Sequence, residues 1–140
     1  MTDAFQLNTA QLHETVPLSR ILGLRLDEAS DETVRLALDW RPELCTAGAV
    51  LHGGALMSLA DTAGAVCAFL NLPEGAEGTT TIESKTNLLA AVRGGAVTAT
   101  ATPLHRGRTL IVVETELRDD ADRLVSKTIQ TQAVVQSGAG

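Results

Sequence analysis

Asp61 is the residue of this chain that folding alone explains least. It falls in the middle of a small and apolar run, 55–72, where helical spacing gives it Met57, Gly64 and Ala65 as same-face neighbours. Asp is a weak helix former, and burying an unpartnered carboxylate is costly. The residue is therefore paired, part of a narrow solvated strip with Ser58 and Thr62, or an acid/base group at a site. The sequence leaves the solvated strip and the catalytic carboxylate both open. Just ahead stand His52, Gly53 and Gly54. No Ser, Thr, Asp or Asn precedes them to cap the helix, so His52 is the one makeshift cap. Two glycines at a helix start let a ligand oxygen approach the free N–H groups at the positive end of the dipole, the geometry of an oxyanion hole. Glycine there also simply permits tight packing. Gly53 and Asp61 are eight residues apart, about 12 Å along one helix. A single carbonyl cannot touch both in one subunit. If both serve one reaction centre, they come from two copies with antiparallel helices, giving two sites per dimer at a subunit interface.

The elements that must position these residues can be read from the apolar periodicity. A helical arm is expected over 4–15, ended by Pro17, and a short turn follows over 18–23. Segments 24–27 and 33–39 alternate as a hairpin, and 40–50, with Pro42 and Gly48, reads as a loop. The helix runs from Gly53 to about Leu70 and stops at a breaker cluster over 71–78. Strands are expected over 79–89, 96–104, 109–118 and 124–135, joined as an antiparallel meander, with a frayed tail over 137–140. One curved sheet around one helix accounts for a helix that is apolar on almost every side. Its open edges and uncovered flank would suit a second copy.

Composition narrows the function. The chain has 140 residues, 44% hydrophobic, with 11 Lys and Arg against 17 Asp and Glu, a net charge of −6. That is one domain with a real core, and its acidity argues against a nucleic-acid partner. The apolar run is nearly long enough to span a bilayer, but Asp61 near its centre would cost about 2.5–3.5 kcal/mol there, so a buried helix is expected and no membrane. Two cysteines, Cys45 and Cys67, make neither a disulfide framework nor a metal pair. Three scattered histidines offer no metal geometry, so no metal is expected. No basic-then-apolar leader is visible, and a cytoplasmic location follows as an expectation. There is no nucleophile elbow and no phosphate-binding loop.

His52, Gly53 and Gly54, an Asp nine residues after the histidine, a Thr-rich strand and a Gly-Arg turn before further strands together resemble the hotdog-fold acyl-CoA thioesterases, most nearly their phenylacetate-degradation (PaaI-like) branch. The resemblance covers about 18–135. It implies an α+β hotdog fold: one long central helix wrapped by a curved antiparallel sheet, with a short N-terminal helix (1–17) in a single domain. It implies dimers, often paired into tetramers, and thioester hydrolysis without metal or cofactor, coenzyme A entering as part of the substrate. By position, Asp61 resembles the catalytic acid, a general base or nucleophile. Gly53 resembles the donor that polarises the thioester carbonyl, and His52 the residue fixing this loop, with Gly54 beside it. A Thr on the following strand would orient water; Thr79, Thr80 and Thr81 compete. Alternation favours Thr80, which shares a face with Ile82 and Leu88, expected to point at the helix. Relatives carry Asn six residues before the histidine, where this chain has Thr46. Coenzyme A phosphates would need cations, and Arg93, Arg106 and Arg108 lie in turns. The dehydratase and hydratase loops of the same fold do not occur. The rival reading is a non-catalytic acyl-CoA-binding or regulatory protein, and a carrier-protein thioester is an alternative substrate.

Overall fold

The structure, a computed structural model, describes residues 7–138. Positions 1–6, including the start of the expected arm, and the last two residues of the expected tail lie outside the described residues.

Helix α1 (Thr9–Thr15) begins at a capping box: Asn8 Oδ1 accepts from the Gln11 N–H and Gln11 Oε1 from the Asn8 N–H. Pro17 does end α1, but it also opens α2 (Pro17–Leu22), because at a first helical position its missing N–H costs nothing. Gly23 closes α2 in the left-handed region at φ 71°. The expected hairpin is β1 (Arg25–Ala29) and β2 (Val34–Asp39). Within the expected loop the chain adds a 3-10 turn, Pro42–Leu44, and a two-residue strand pair, β3 (Cys45–Thr46) and β4 (Val50–Leu51). Its tip places Ala49 at φ 58°, where the Trp40 Nε1–H holds the Ala49 carbonyl at 3.0 Å.

Helix α3 (Gly53–Phe69) follows, then β5 (Ala76–Leu88), β6 (Ala96–Arg106), β7 (Leu110–Asp119) and β8 (Leu124–Gln136). The six long strands form one antiparallel sheet in the order β1-β2-β6-β7-β8-β5. The α+β architecture is as expected, a long central helix, a curved antiparallel sheet and a short N-terminal helix. The simple meander is not. Of the last four strands only β6, β7 and β8 run consecutively; β5 pairs with β8 at the far edge, and 89–95 crosses back to bring β6 beside β2. Seven residues are too many for a tight hairpin, and the crossing places β5 along the flank of α3 that β2 and β6 leave open.

The core lies between α3 and the sheet. Leu56, Leu59, Ala60, Ala63 and Cys67 of α3 are buried against Leu36, Leu38, Val97, Ala99, Ile111 and Val113. Small residues on α3 let the helix sit close to the strands it crosses. Burying each large aliphatic side chain is worth about 1.5–3 kcal/mol, so this layer anchors the helix.

Candidate functional site

The N-terminus of α3 is fixed from three sides. The His52 N–H donates to the Leu44 carbonyl and the Leu51 N–H to the Val92 carbonyl, each at 2.9 Å. His52 is the N-cap, and its Nδ1 accepts from the Gly54 N–H at 2.7 Å. An accepting Nδ1 leaves the neutral ring's proton on Nε2. The Ala55 and Leu56 N–H groups reach the His52 carbonyl. That leaves the Gly53 N–H with no hydrogen-bond partner among the described residues, at the positive end of a 17-residue helix. Gly53 opens into a hollow of about 320 Å³ lined by Val50, Leu51, Leu56, Leu88 and Leu89. A side chain at residue 53 would enter it, a Cβ meeting Leu88 Cδ1 at 2.6 Å.

Asp61 lies two turns further along. It belongs to the stripe of α3 that the sheet does not cover, with Gly54, Met57 and Phe69, the last two 42% and 53% exposed. The carboxylate is exposed, and Oδ1 accepts from Gln130 Nε2 at 3.2 Å. Asp61 borders a second cavity of about 510 Å³. Thr15, Thr62 and Thr79 supply its other polar side chains, while Leu12, Val16, Val66 and Phe69 make an apolar wall. Two of those wall residues come from the N-terminal arm, so α1 and its junction with α2 shape the space beside the carboxylate. A hollow of this size and lining accommodates a small apolar group next to one charged atom pair.

Gly53 and Asp61 therefore lie about 80° apart around the helix and open into different cavities, and the spacing of about 12 Å along the axis remains. The flank between them is bordered by β5: Leu88 sits against Gly53, and Gly78 and Thr79 line the same cavity as Phe69. Strand β5 is the outer strand of the sheet and 13 residues long, and it exposes Ile82 (60%) and Leu88 (50%).

The expectation that Thr80 faces the helix is corrected. Thr79 borders the Asp61 cavity; Thr80 is exposed and points to the opposite face, across from Ala133. Ile82 does not point into the core either. The register of β5 against β8 shifts between Thr81 and Glu83, a bulge that resets the alternation, so counting by twos through residue 82 assigns the wrong face. Thr81 takes a hydrogen bond from the buried Gln132.

The remaining expected residues are dispersed. Thr46 is exposed on β3 opposite Val50 and borders neither cavity. Arg93 is exposed beside Val92, at the N-terminal end of α3. Arg106 donates to the Asp31 carbonyl, which also accepts from Asn71 just past the C-terminal end of α3, and Arg108 is exposed in the β6–β7 turn. One protomer thus holds Arg93 and the Arg106/Arg108 pair at opposite ends of a helix about 25 Å long. Cys67 is fully buried, which pushes its thiol up to about 11 against the opposing charge of Arg106; it is no nucleophile at neutral pH. Among the described residues no group of His, Cys, Asp and Glu is arranged to hold a metal ion, and no helix is long and apolar enough to cross a membrane.

Sequence reasoning missed Gln130. The signal was the alternation Thr128, Gln130, Gln132 in β8, which reads as a solvated face. All three are buried and face α3, while Ile129 and Val135 are exposed.

The family model described as the thioesterase superfamily matches residues 48–126, which contain the capped helix start, Asp61 and β5 to β7. A Mycobacterium tuberculosis relative, whose name assigns it provisionally to the esterases, is 33% identical over 120 residues, covering 84% of this chain and 86% of its own length. The crystal structure of a thioesterase from Haemophilus influenzae superposes with a TM-score of 0.85 at 26% identity, covering 94% of this chain and 92% of that one. The PaaI protein of the Escherichia coli phenylacetic acid degradation operon superposes at 0.81 with 21% identity, covering 91% of each chain, which is a likeness of fold.

Proposed function

Because the chain belongs to the thioesterase superfamily, we propose that it hydrolyses an aryl- or short- to medium-chain acyl-CoA to the free acid and coenzyme A, at sites shared between two protomers. The family fixes the reaction class, hydrolysis of a thioester. The observation that carries the rest is the pairing on one helix of a free N–H at Gly53 and an exposed carboxylate at Asp61, too far apart to meet one carbonyl in a single protomer.

Two copies with antiparallel helices bring Gly53 of one protomer to Asp61 of the other. The unpaired edge of β5 and the exposed Met57, Ile82 and Leu88 supply the joining surface. The Gly53 N–H then donates to the thioester carbonyl oxygen as it becomes an oxyanion. Asp61 acts across the interface, as general base on water or as nucleophile on the carbonyl carbon. As base, it takes a proton while the water oxygen bonds to carbon; the tetrahedral species collapses with cleavage of carbon–sulfur, and coenzyme A leaves as thiolate. Thr79, which lines the same cavity as Asp61, holds that water in the role expected of Thr80. His52 keeps the Gly54 N–H occupied and the loop in shape. The acyl group occupies the cavity walled by Leu12, Val66 and Phe69. In the antiparallel pair, Arg93 of one protomer falls on the same side as the partner's Arg106 and Arg108, giving the phosphates of coenzyme A three cations in an otherwise acidic protein. Unpaired Cys45 and Cys67 suit a reducing cytoplasm.

Subunit mixing tests the shared site. Asp61→Asn and Gly53→Pro protomers, each inactive as homodimers, are unfolded together and refolded. Hybrids carry one intact site of two, so random mixing restores about a quarter of wild-type turnover. No restoration, with hybrids demonstrated, would contradict a site built from both protomers.

A further inference from the structure

Gln130 sits at the centre of β8, fully buried and facing α3. Its Nε2 donates to Asp61 Oδ1 at 3.2 Å, and its Oε1 has no partner among the described residues. The helix leaves room for this amide only because residue 64 is glycine: a Cβ there would overlap Oε1 and lie 2.5 Å from Cδ. A mid-helix glycine is disfavoured against alanine, and an unpartnered buried amide oxygen is disfavoured against an apolar group. Stability accounts for neither, yet both converge on one contact to Asp61.

We propose that Gln130 is a positioning residue for the reaction of Asp61. Asp61 lies on an exposed stripe, where a short acidic side chain would otherwise exchange rotamers. Holding Oδ1 from the sheet fixes the carboxylate plane and leaves Oδ2 as the oxygen free to act. Because the Gln130 amide is walled in, its grip does not depend on substrate. An amide suits the task, since it donates at every pH and brings no charge to compete with the carboxylate. Gly64 is the space that admits it. This inference rests on the thioesterase reading, and its test separates the two.

Gln130→Met keeps length and burial but removes the donor. Thr128→Val, two residues along the same face, also deletes a partly buried hydrogen bond, that to Thr86 at 2.7 Å, without touching Asp61. With wild type and Asp61→Asn alongside, kcat and KM on the best thioester substrate and the Tm of each variant are measured; Gln130→Leu replaces Gln130→Met if the latter does not fold. The expected result is a fall of about ten- to a hundredfold in kcat for Gln130→Met with KM unchanged, while Thr128→Val keeps its kcat at a comparable loss of Tm. An unchanged kcat in Gln130→Met, or equal losses in both variants, overturns the positioning role while the loss in Asp61→Asn leaves the thioesterase reading standing. A wild type that turns over no thioester overturns both.

Discussion

Replacing Gly53 by proline removes the free N–H of the helix start and puts the ring Cδ in its place. The Gly53 N–H has no partner among the described residues, so its loss breaks no hydrogen bond of the fold. Residue 53 is the first position of α3, the one helical position that proline favours. His52, at φ −62° and ψ 136°, already has the extended backbone that a following proline demands. The new Cβ approaches Leu88 Cδ1, the far end of a flexible and half-exposed side chain, and the ring Cδ takes the direction in which the N–H pointed. Gly53→Ala makes the same Cβ approach and keeps the N–H, so it controls for the contact with Leu88. If that N–H carries the oxyanion, proline lowers kcat about a hundred- to a thousandfold, about 3–4 kcal/mol of transition-state stabilisation, with Tm close to that of Gly53→Ala. The assay is coenzyme A release followed by chromatography, since thiol dyes would also report Cys45. Equal kcat in the proline and alanine variants, both folded, would refute the reasoning that places the developing charge at the start of α3.

Gly64→Ala, which by helix propensity should stabilise by about 1 kcal/mol, is expected to destabilise by about 2–3 kcal/mol net, because the new methyl displaces a buried amide; calorimetry should show a Tm lower by about 5–15 °C, and an unchanged or raised Tm would contradict the packing described. Ile82→Lys puts a charge on the exposed edge strand and should shift sedimentation from dimer to monomer with parallel loss of turnover, whereas an active monomer would contradict the shared site. The Cys67 thiol, pushed up to about 11 by burial, loses its proton later in the folded than in the unfolded chain. Its contribution to stability is present below about pH 9 and is lost as pH rises towards 11, by about 2–3 kcal/mol in all; Cys67→Ala should flatten that alkaline slope in urea midpoints.

What could be read from sequence was what short-range physics determines. The helix start at Gly53, its end near Leu70 and the β1–β2 hairpin follow from glycine, breaker residues and apolar period. The partner of β5 could not be read, because strand order depends on which flank of α3 remains uncovered after distant segments have packed. Thr80 was favoured over Thr79 because apolar Ile82 was assumed to mark the inner face. On an edge strand with a bulge, Ile82 is exposed and does not mark the inner face. Gln130 escaped for the converse reason: a polar residue was assigned to solvent, when its partner was a carboxylate on the far side of the core. Both errors come from equating polarity with exposure, a rule that fails where a site is being built.

The central claim is that Asp61 performs thioester hydrolysis, and the most direct measurement compares wild type with Asp61→Asn on a panel of aryl- and alkyl-acyl-CoA thioesters, reading coenzyme A release by chromatography. The account predicts turnover by wild type, ranked by how the acyl group fills the cavity beside Phe69, and its collapse in Asp61→Asn with fold and dimer intact. Saturable binding without turnover in the wild type, or turnover that survives the substitution, would contradict it.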